Sequence, residues 1–458
     1  MAEPVAARIR GGGRFAVVNE PHHRIPTAKF ALLSSLLAVG WCCLLGLASP
    51  PLTTATAADG GGAAVAGDEP PAPIGLLLWD GEWMKTIRRQ HHDGSLPESL
   101  GPALDRLAED AVEAMEQPLV SVLDKQRVPP SGDKRDYYSL GIYWWPDPGK
   151  EDGLPYIRRD GERNPEADEF DRPQLARMAG AVEALTLSWF LSGNEEHGRR
   201  AIEHLRHWFL DSESAMRPHL EYAQAIPGRT EGRGIGLIET NALLPVPDCI
   251  LLLQAGGLLP GAEFEALRGW FADYQHWFLT SSHGRDEARE RNNHGTWYDV
   301  QASVFSLFVG QPEAAREILG RVAERRLEPQ VNAEGAQPHE LRRTLTFTYS
   351  VMNLDGFMRL AHLAERFEIP LWDHHGPDGE LQSIRGALEF LHPYADPETA
   401  SEWRHPQIAA VPHARLWSLL HRAAVVWPDG GYRETLDRLP DENLLPQRFR
   451  LLHREAGE

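Results

Sequence analysis

Apolar residues recur along this chain at intervals of three and four, and the runs that carry them come in pairs. Leu104, Leu107, Val112 and Met115 set a helical period over Leu104–Met115. Pro173–Leu191 repeats it, with Pro173 suited to a first helical turn; Ser192-Gly193-Asn194 breaks it, and Gly198–Leu210 resumes it with one apolar face. The same hairpin returns as Trp297–Val309, a break at Gly310-Gln311-Pro312, and Glu313–Val322. Ile238–Leu253 with Ala262–Leu279, and Ser350–Phe367 with Leu381–Leu391, form further pairs, and Ala414–Val426 after Pro412 closes the series. Repeated helical hairpins with short turns predict an all-α array, either an open solenoid or a closed α/α toroid. Alternating strand patterns are scarce, and Tyr138–Tyr143 is the best short candidate.

The N-terminal part is a separate object. Arg8, Arg10, Arg14, Arg24 and Lys29 precede an apolar run from Phe30 to Ala48, followed by small residues that include Ala55-Thr56-Ala57. This is the pattern of a secretory leader with its cleavage site. The run is also long enough to remain as an uncleaved N-terminal anchor. Either way the body of the chain is expected to be exported. Residues 1–57 form the leader or anchor, residues 58–73 a Gly-, Ala- and Pro-rich tether, and residues 74–458 one large domain. No later segment is expected to be apolar enough to cross a membrane. Cys42 and Cys43 fall in the leader, so Cys249 is alone in the body and makes no intramolecular disulfide there.

The net charge of −20 argues against nucleic acid as a partner. It also opposes long-range steering of a polyanion, so an anionic substrate requires cations gathered in one cleft. Arg158-Arg159, Arg229 to Arg233 and Arg342-Arg343 supply candidates.

Two segments carry the densest chemistry. In Arg291-Asn-Asn-His-Gly-Thr-Trp-Tyr-Asp-Val-Gln301, His294, Tyr298 and Gln301 share a helical face, and Asn292 or Asn293 can cap the helix. In Glu340-Leu-Arg-Arg-Thr-Leu-Thr-Phe-Thr-Tyr349, an arginine fork that matches a carboxylate precedes a tyrosine, whose pKa the neighbouring cations are expected to lower. The alternative for both is structural: a capped helix start, arginines solvated or paired with Glu340 and Asp355, and a core tyrosine. Tyr143, Trp144, Trp145, Tyr156 and Trp297 are aromatic surfaces for sugar rings or for packing. His283 with Asp286 and His294 offers metal-ligand types, but no HExxH or Cys/His spacing accompanies them, and phosphate-loop, dinucleotide and serine-nucleophile signatures are absent. No cofactor is expected.

Together with Tyr143-Trp-Trp-Pro-Asp-Pro148, Leu154-Pro-Tyr-Ile-Arg-Arg-Asp-Gly161, Asn164-Pro165, Tyr222-Ala-Gln-Ala-Ile-Pro-Gly228 and Gly232-Arg-Gly-Ile-Gly236, these segments resemble the alginate-lyase-like superfamily of polysaccharide lyases. The match is closer to family thirty-eight than to family five. The resemblance implies an α/α toroid that cleaves uronate polymers by metal-independent β-elimination. It implies Asn293 and His294 as the pair that neutralises the uronate carboxylate, Arg343 as their arginine partner, and Tyr349 as the catalytic tyrosine. Family five places its arginine one position earlier, which makes Arg342 the other choice. Tyr298, Gln224, Arg233, Trp144, Trp145 and Tyr143 are the further expected substrate contacts. The partner implied is an acidic polysaccharide, alginate-like or glucuronan-like, with no membrane beyond the N-terminal anchor. Two alternatives stand beside this: a glycoside hydrolase, needing two facing carboxylates among residues such as Asp136, Asp147 and Glu239, and a polysaccharide-binding protein without turnover.

Overall fold

The computed structural model describes residues 75–376, 381–439 and 447–454. The expected leader and tether lie outside the described residues. The described part is almost wholly helical. In chain order its main helices are α1 (Gly81–Asp93), α2 (Gly101–Glu116), α3 (Arg172–Ser192), α4 (Glu195–Phe209), α5 (Val246–Ala255), α6 (Gly261–Thr280), α7 (Ser282–Ala288), α8 (Asn293–Phe308), α9 (Pro312–Leu319), α10 (Thr346–Glu365), α11 (Ile384–Leu391), α12 (Trp417–Val426) and α13 (Gln447–Leu452).

Helices alternate between two kinds, which is the layering of an α/α toroid. The inner kind is buried nearly all round: α3 from Ala181 to Leu191, α8 over most of its length, and α10 from Thr346 to Ala364. The outer kind is amphipathic. In α4, Ala201, Ile202, Leu205, Trp208 and Phe209 face inward while Arg199 and Arg206 pair with acids at the surface. α3 packs on α2, α4 and α5, and α8 packs on α6, α9 and α10. Polar groups on the inner helices find partners within the core. Asp299 takes the Arg326 guanidinium at 2.6 Å, and Thr240 donates to Gln301 at 2.6 Å.

The expected helix over Ile238–Leu253 is two elements: a 3-10 segment, Gly234–Leu243, and then α5. Pro245 separates them, because its ring carries no N–H and excludes the preceding turn. By length and composition the stretch Gly234–Ala255 would suffice to cross a membrane, contrary to the sequence expectation. It is 67% buried within the fold, as a core element is.

Among the described residues four short strands pair two by two. β1 (Tyr138–Leu140) runs parallel to β4 (Tyr222–Ala225), and β2 (Trp144–Trp145) pairs antiparallel with β3 (Ile157–Arg158). Tyr138 pairs with Tyr222 and Leu140 with Ala225, so Gln224 falls in a bulge. Gly161, at φ +80°, sits where a Cβ would strike Thr344 Oγ1, which draws the 154–161 loop against the start of α10.

Candidate active site

Inner helices α8 and α10 lie side by side, and both begin at the same cavity. Its volume is about 540 Å³, and its lining includes Tyr143, Trp144, Gln224, Arg233, Glu239, Asn293, His294, Arg343 and Tyr349. Asn292 caps α8 by accepting from the His294 N–H at 3.0 Å, which puts Asn293 and His294 in the first turn. Tyr349 occupies the first turn of α10.

Asn293, His294 and the neighbouring Arg343 are each held from behind by an acid, buried for Glu340 and Glu287 and part-buried for Asp160. Glu340 accepts from the Asn293 backbone N–H and from Asn293 Nδ2, both at 2.7 Å. His294 Nδ1 meets Glu287 Oε1 at 2.8 Å, which leaves Nε2 as the ring's free nitrogen. Asp160 grips Arg343 through Nε and Nη2, the latter at 2.9 Å, and is itself anchored by Thr344. The sequence reading assigned none of these three acids its role. Asp160 lies 183 positions from Arg343, and nothing local signals the pair. The structural alternative pairs Glu340 with the arginines; in the fold it serves Asn293 instead.

Charge follows from this framing. Burial works against a charged imidazole, but Glu287, reinforced by Glu290 and Glu340, outweighs it and raises His294 above the ordinary histidine value. Burial raises the Glu287 and Glu340 carboxyls, with His294 and Asn293 pulling the other way. For Asp160 the hydrogen bonds from Arg343 overcome burial and hold the carboxyl well below its usual range.

Tyr349 departs from expectation. Its hydroxyl shares a 2.7 Å hydrogen bond with the Tyr143 hydroxyl, and the Arg343 guanidinium lies 4.0 Å from its ring centroid. Burial first, and then the Tyr143 hydrogen bond, push the phenol far above its usual value, and Arg343 only partly offsets them. The expected lowering by neighbouring cations is therefore overturned. The residue is 8% exposed, and withdrawal from water costs the phenolate more than one guanidinium returns.

The remaining expected contacts divide. Trp144 lines the cavity with Arg229 and Arg233 over its ring at 5.1 and 5.9 Å. Arg233 donates to the Gln224 carbonyl and amide oxygens, and burial lowers its pKa to about 10. Three expected contacts are not on the lining. Tyr298 stacks on Phe278 with ring centroids 4.7 Å apart, because its helical position turns it to the core. Trp145 points away from Trp144 across the strand, bonding the Glu162 carbonyl under Arg159. Arg342 is exposed, while Arg343 faces the cavity. Of the hydrolase candidates, Glu239 reaches the lining; Asp136 instead pairs with Arg217 and His219. Among the described residues no group of three or more His, Cys, Asp or Glu side chains could hold a metal ion.

A family model described as alginate lyase matches residues 121–403. A crystal structure of an alginate lyase from Bacteroides ovatus shares 34% identity, with a TM-score of 0.78 over 83% of this chain and 99% of that one. Alginate lyase A1-III from Sphingomonas species A1, as the apo form of a histidine-to-alanine variant, gives 14% identity and a TM-score of 0.51, covering 84% of this chain and 97% of that one. The same variant complexed with a tetrasaccharide gives 13% and 0.51, over 82% and 95%; at such identity the likeness is one of fold. No curated protein matches.

Proposed function

Because this chain belongs to the alginate lyase family, we propose that its cavity cleaves a uronate polymer through the side chains at the starts of α8 and α10. The protein is a polysaccharide lyase acting on an acidic polysaccharide by β-elimination. The observation that carries the site assignment is the convergence of Asn293, His294, Arg343 and Tyr349 on one cavity.

The chemistry sets the roles. Removing the C5 proton of a uronate places a second negative charge on a group that already carries one. Arg343 and the free Asn293 amide hydrogen would bind the carboxylate and stabilise the enolate-like state, as fixed donors do in an oxyanion hole. Their backing acids hold them in place, so little reorganisation accompanies the charge. Tyr349 rests as a phenol, which is the form that donates a proton to the departing glycosidic oxygen. To act as base as well, Tyr349 must first give its proton to solvent; the phenolate then takes the C5 proton and passes it to the glycosidic oxygen as the C4–O bond breaks, when both groups lie on one face of the sugar.

The raised phenol favours a second assignment for the base. His294, oriented by Glu287 with Nε2 free, would take the C5 proton while Tyr349 serves only as acid. A pH profile separates the two. A tyrosine base gives kcat/KM rising toward alkaline pH without a neutral plateau, and a histidine base gives an acidic limb set by His294. Under either assignment the products carry a conjugated double bond, so purified protein incubated with mannuronan, guluronan and glucuronan should raise ultraviolet absorbance on at least one. New reducing ends without that absorbance would instead identify a hydrolase, and neither signal a binder.

We further assign residues 74–458 as the catalytic domain, residues 58–73 as a tether, and residues 1–57 as the leader or anchor that exports it. Detection of the mature protein outside the cytoplasm, with its N-terminus read by mass spectrometry, tests that assignment; recovery of the full chain from the cytoplasm alone would reject it.

A further inference from the structure

Three polar side chains on the same cavity, Glu239 and Gln224 buried and Asn241 half-buried, have no part in the catalytic roles above. Glu239 is 5% exposed; Tyr137 donates its hydroxyl to Oε2 at 2.8 Å, and Oε1 has no donor. Asn241, on the same 3-10 segment, also has a buried amide oxygen without a donor. Gln224 sits in the β4 bulge at φ +49°, a left-handed backbone that a non-glycine residue keeps only when its surroundings hold it. Here they do. Ser139 Oγ accepts its N–H at 2.7 Å, and Arg233 donates to its amide oxygen at 2.8 Å, which leaves the amide nitrogen as its free group.

Buried acceptors without donors are a cost that a ligand can remove. Apart from its carboxylate, a uronate ring offers hydroxyl groups, and a second carboxylate brought to this wall would be repelled by Glu239. Arg233 sets positive charge near Glu239 without occupying its free oxygen. We propose that Glu239, Asn241 and Gln224 form a hydroxyl-reading subsite for the uronate chain, and that Glu239 makes the enzyme selective for sugars with free hydroxyls over O-acylated ones. This rests on the lyase reading of the cavity. An O-acyl ester replaces a hydroxyl donor with a carbonyl acceptor. Facing Glu239 it sets acceptor against acceptor and leaves the carboxylate oxygen unpaired.

The test uses one uronate polymer that the full-length wild type cleaves, in its free form and after chemical O-acetylation, read by product absorbance. Wild-type kcat/KM should fall about tenfold or more on the acetylated form. Glu239→Gln keeps an acceptor for Tyr137 and turns an N–H toward the sugar. Its KM for the free polymer should rise about tenfold with kcat within about twofold, and the acetylation penalty should shrink to about threefold or less. Equal selectivity in the two proteins, or a wild type indifferent to acetylation, overturns the subsite. Should Glu239→Gln fail to fold, Gln224→Asn decides, since asparagine tolerates the left-handed backbone. Folded Gln224→Asn protein with wild-type KM and selectivity overturns the proposal as well. A wild type that leaves every uronate polymer intact removes the lyase reading and the subsite together, whereas an active but unselective wild type removes the subsite alone.

Discussion

Two cavities among the described residues differ sharply, and the larger of the pair is not where the chemistry converges. The larger, about 1100 Å³, is bordered by α2, α3, α10, α12 and α13. Each arginine on its lining already has a carboxylate partner. Arg106 and Arg448 share Asp110, Arg448 also reaches Glu183, and Arg359 holds Asp355. In the smaller cavity Arg158 and Arg343 share Asp160, but the Arg172 side chain has no hydrogen bond or ion pair among the described residues and Arg233 has no carboxylate partner. Tyr349 there carries a phenol raised by burial, and Glu239 keeps an oxygen without a donor. A cavity whose charges are neutralised by the protein has little to offer an anionic ligand. One that leaves cations and proton carriers uncommitted stores binding energy for its substrate.

Substitutions can break this contrast. The largest effect is expected from Tyr349→Phe, which removes the proton carrier and leaves the ring under Arg343. Elimination should fall by about a thousandfold or more, while polymer still binds by calorimetry. Retained turnover would take the tyrosine out of the chemistry. Arg343→Ala should cost roughly a hundredfold in kcat, and Arg343→Lys should recover only part of it, because an ammonium cannot reproduce the fork that Asp160 holds. Full recovery by lysine would make Arg343 a simple point charge.

Glu287→Gln should act through pH more than through rate. Its carboxylate is the main group raising His294, so without it the His294 pKa falls. If neutral His294 is the base, the acidic limb of kcat/KM moves to lower pH. If charged His294 neutralises the substrate, activity is lost as pH rises through its pKa, and that alkaline-side loss sets in earlier in the variant. Stability moves in the same sense. A histidine raised in the fold contributes fully below its unfolded value and loses that contribution as pH rises through the folded one, and the variant lacks this contribution. An unshifted pH profile would show that Glu287 only packs against His294.

Much of the frame was legible in the sequence because it is periodic. α3, α4, α6 and α9 lie close to the ranges that apolar spacing predicts. α10 begins four residues before the start that apolar spacing predicts at Ser350, and α8 four before Trp297, since polar first turns carry no apolar period; for α8 the cap expected at Asn292 or Asn293 marks the start that spacing misses. Those turns hold Asn293, His294 and Tyr349. The acids behind them were not legible as partners: Asp160 and Glu340 reach Arg343 and Asn293 only once the helices are packed. The direction of the Tyr349 shift is opposite to the sequence expectation for a related reason. Sequence shows the neighbouring arginines, and it does not show how much water the fold removes.

The smallest expected effect comes from the larger cavity, and it tests whether that cavity is only structural. Arg448→Met removes the pairs to Asp110 and Glu183. Asp110 keeps Arg106 at 2.9 Å, but Glu183 loses the one ion-pair partner it has among the described residues and stays mostly withdrawn from water. Both pairs are part-exposed, so the loss should be modest, about 1 to 2 kcal/mol. Its pH dependence has a definite sign. Burial already raises Glu183, and removal of Arg448 raises it further, so the folded variant retains a proton that the unfolded chain releases. Stability then falls as pH rises above the ordinary glutamate range, and the Tm deficit relative to wild type should be larger near about pH 8 than near about pH 5. Activity on a uronate polymer should stay within about twofold of wild type, because no group in the catalytic cavity changes. A loss of tenfold or more in kcat/KM without a Tm deficit would mean that the paired cavity takes part in handling the polymer, and the contrast between the two would no longer hold.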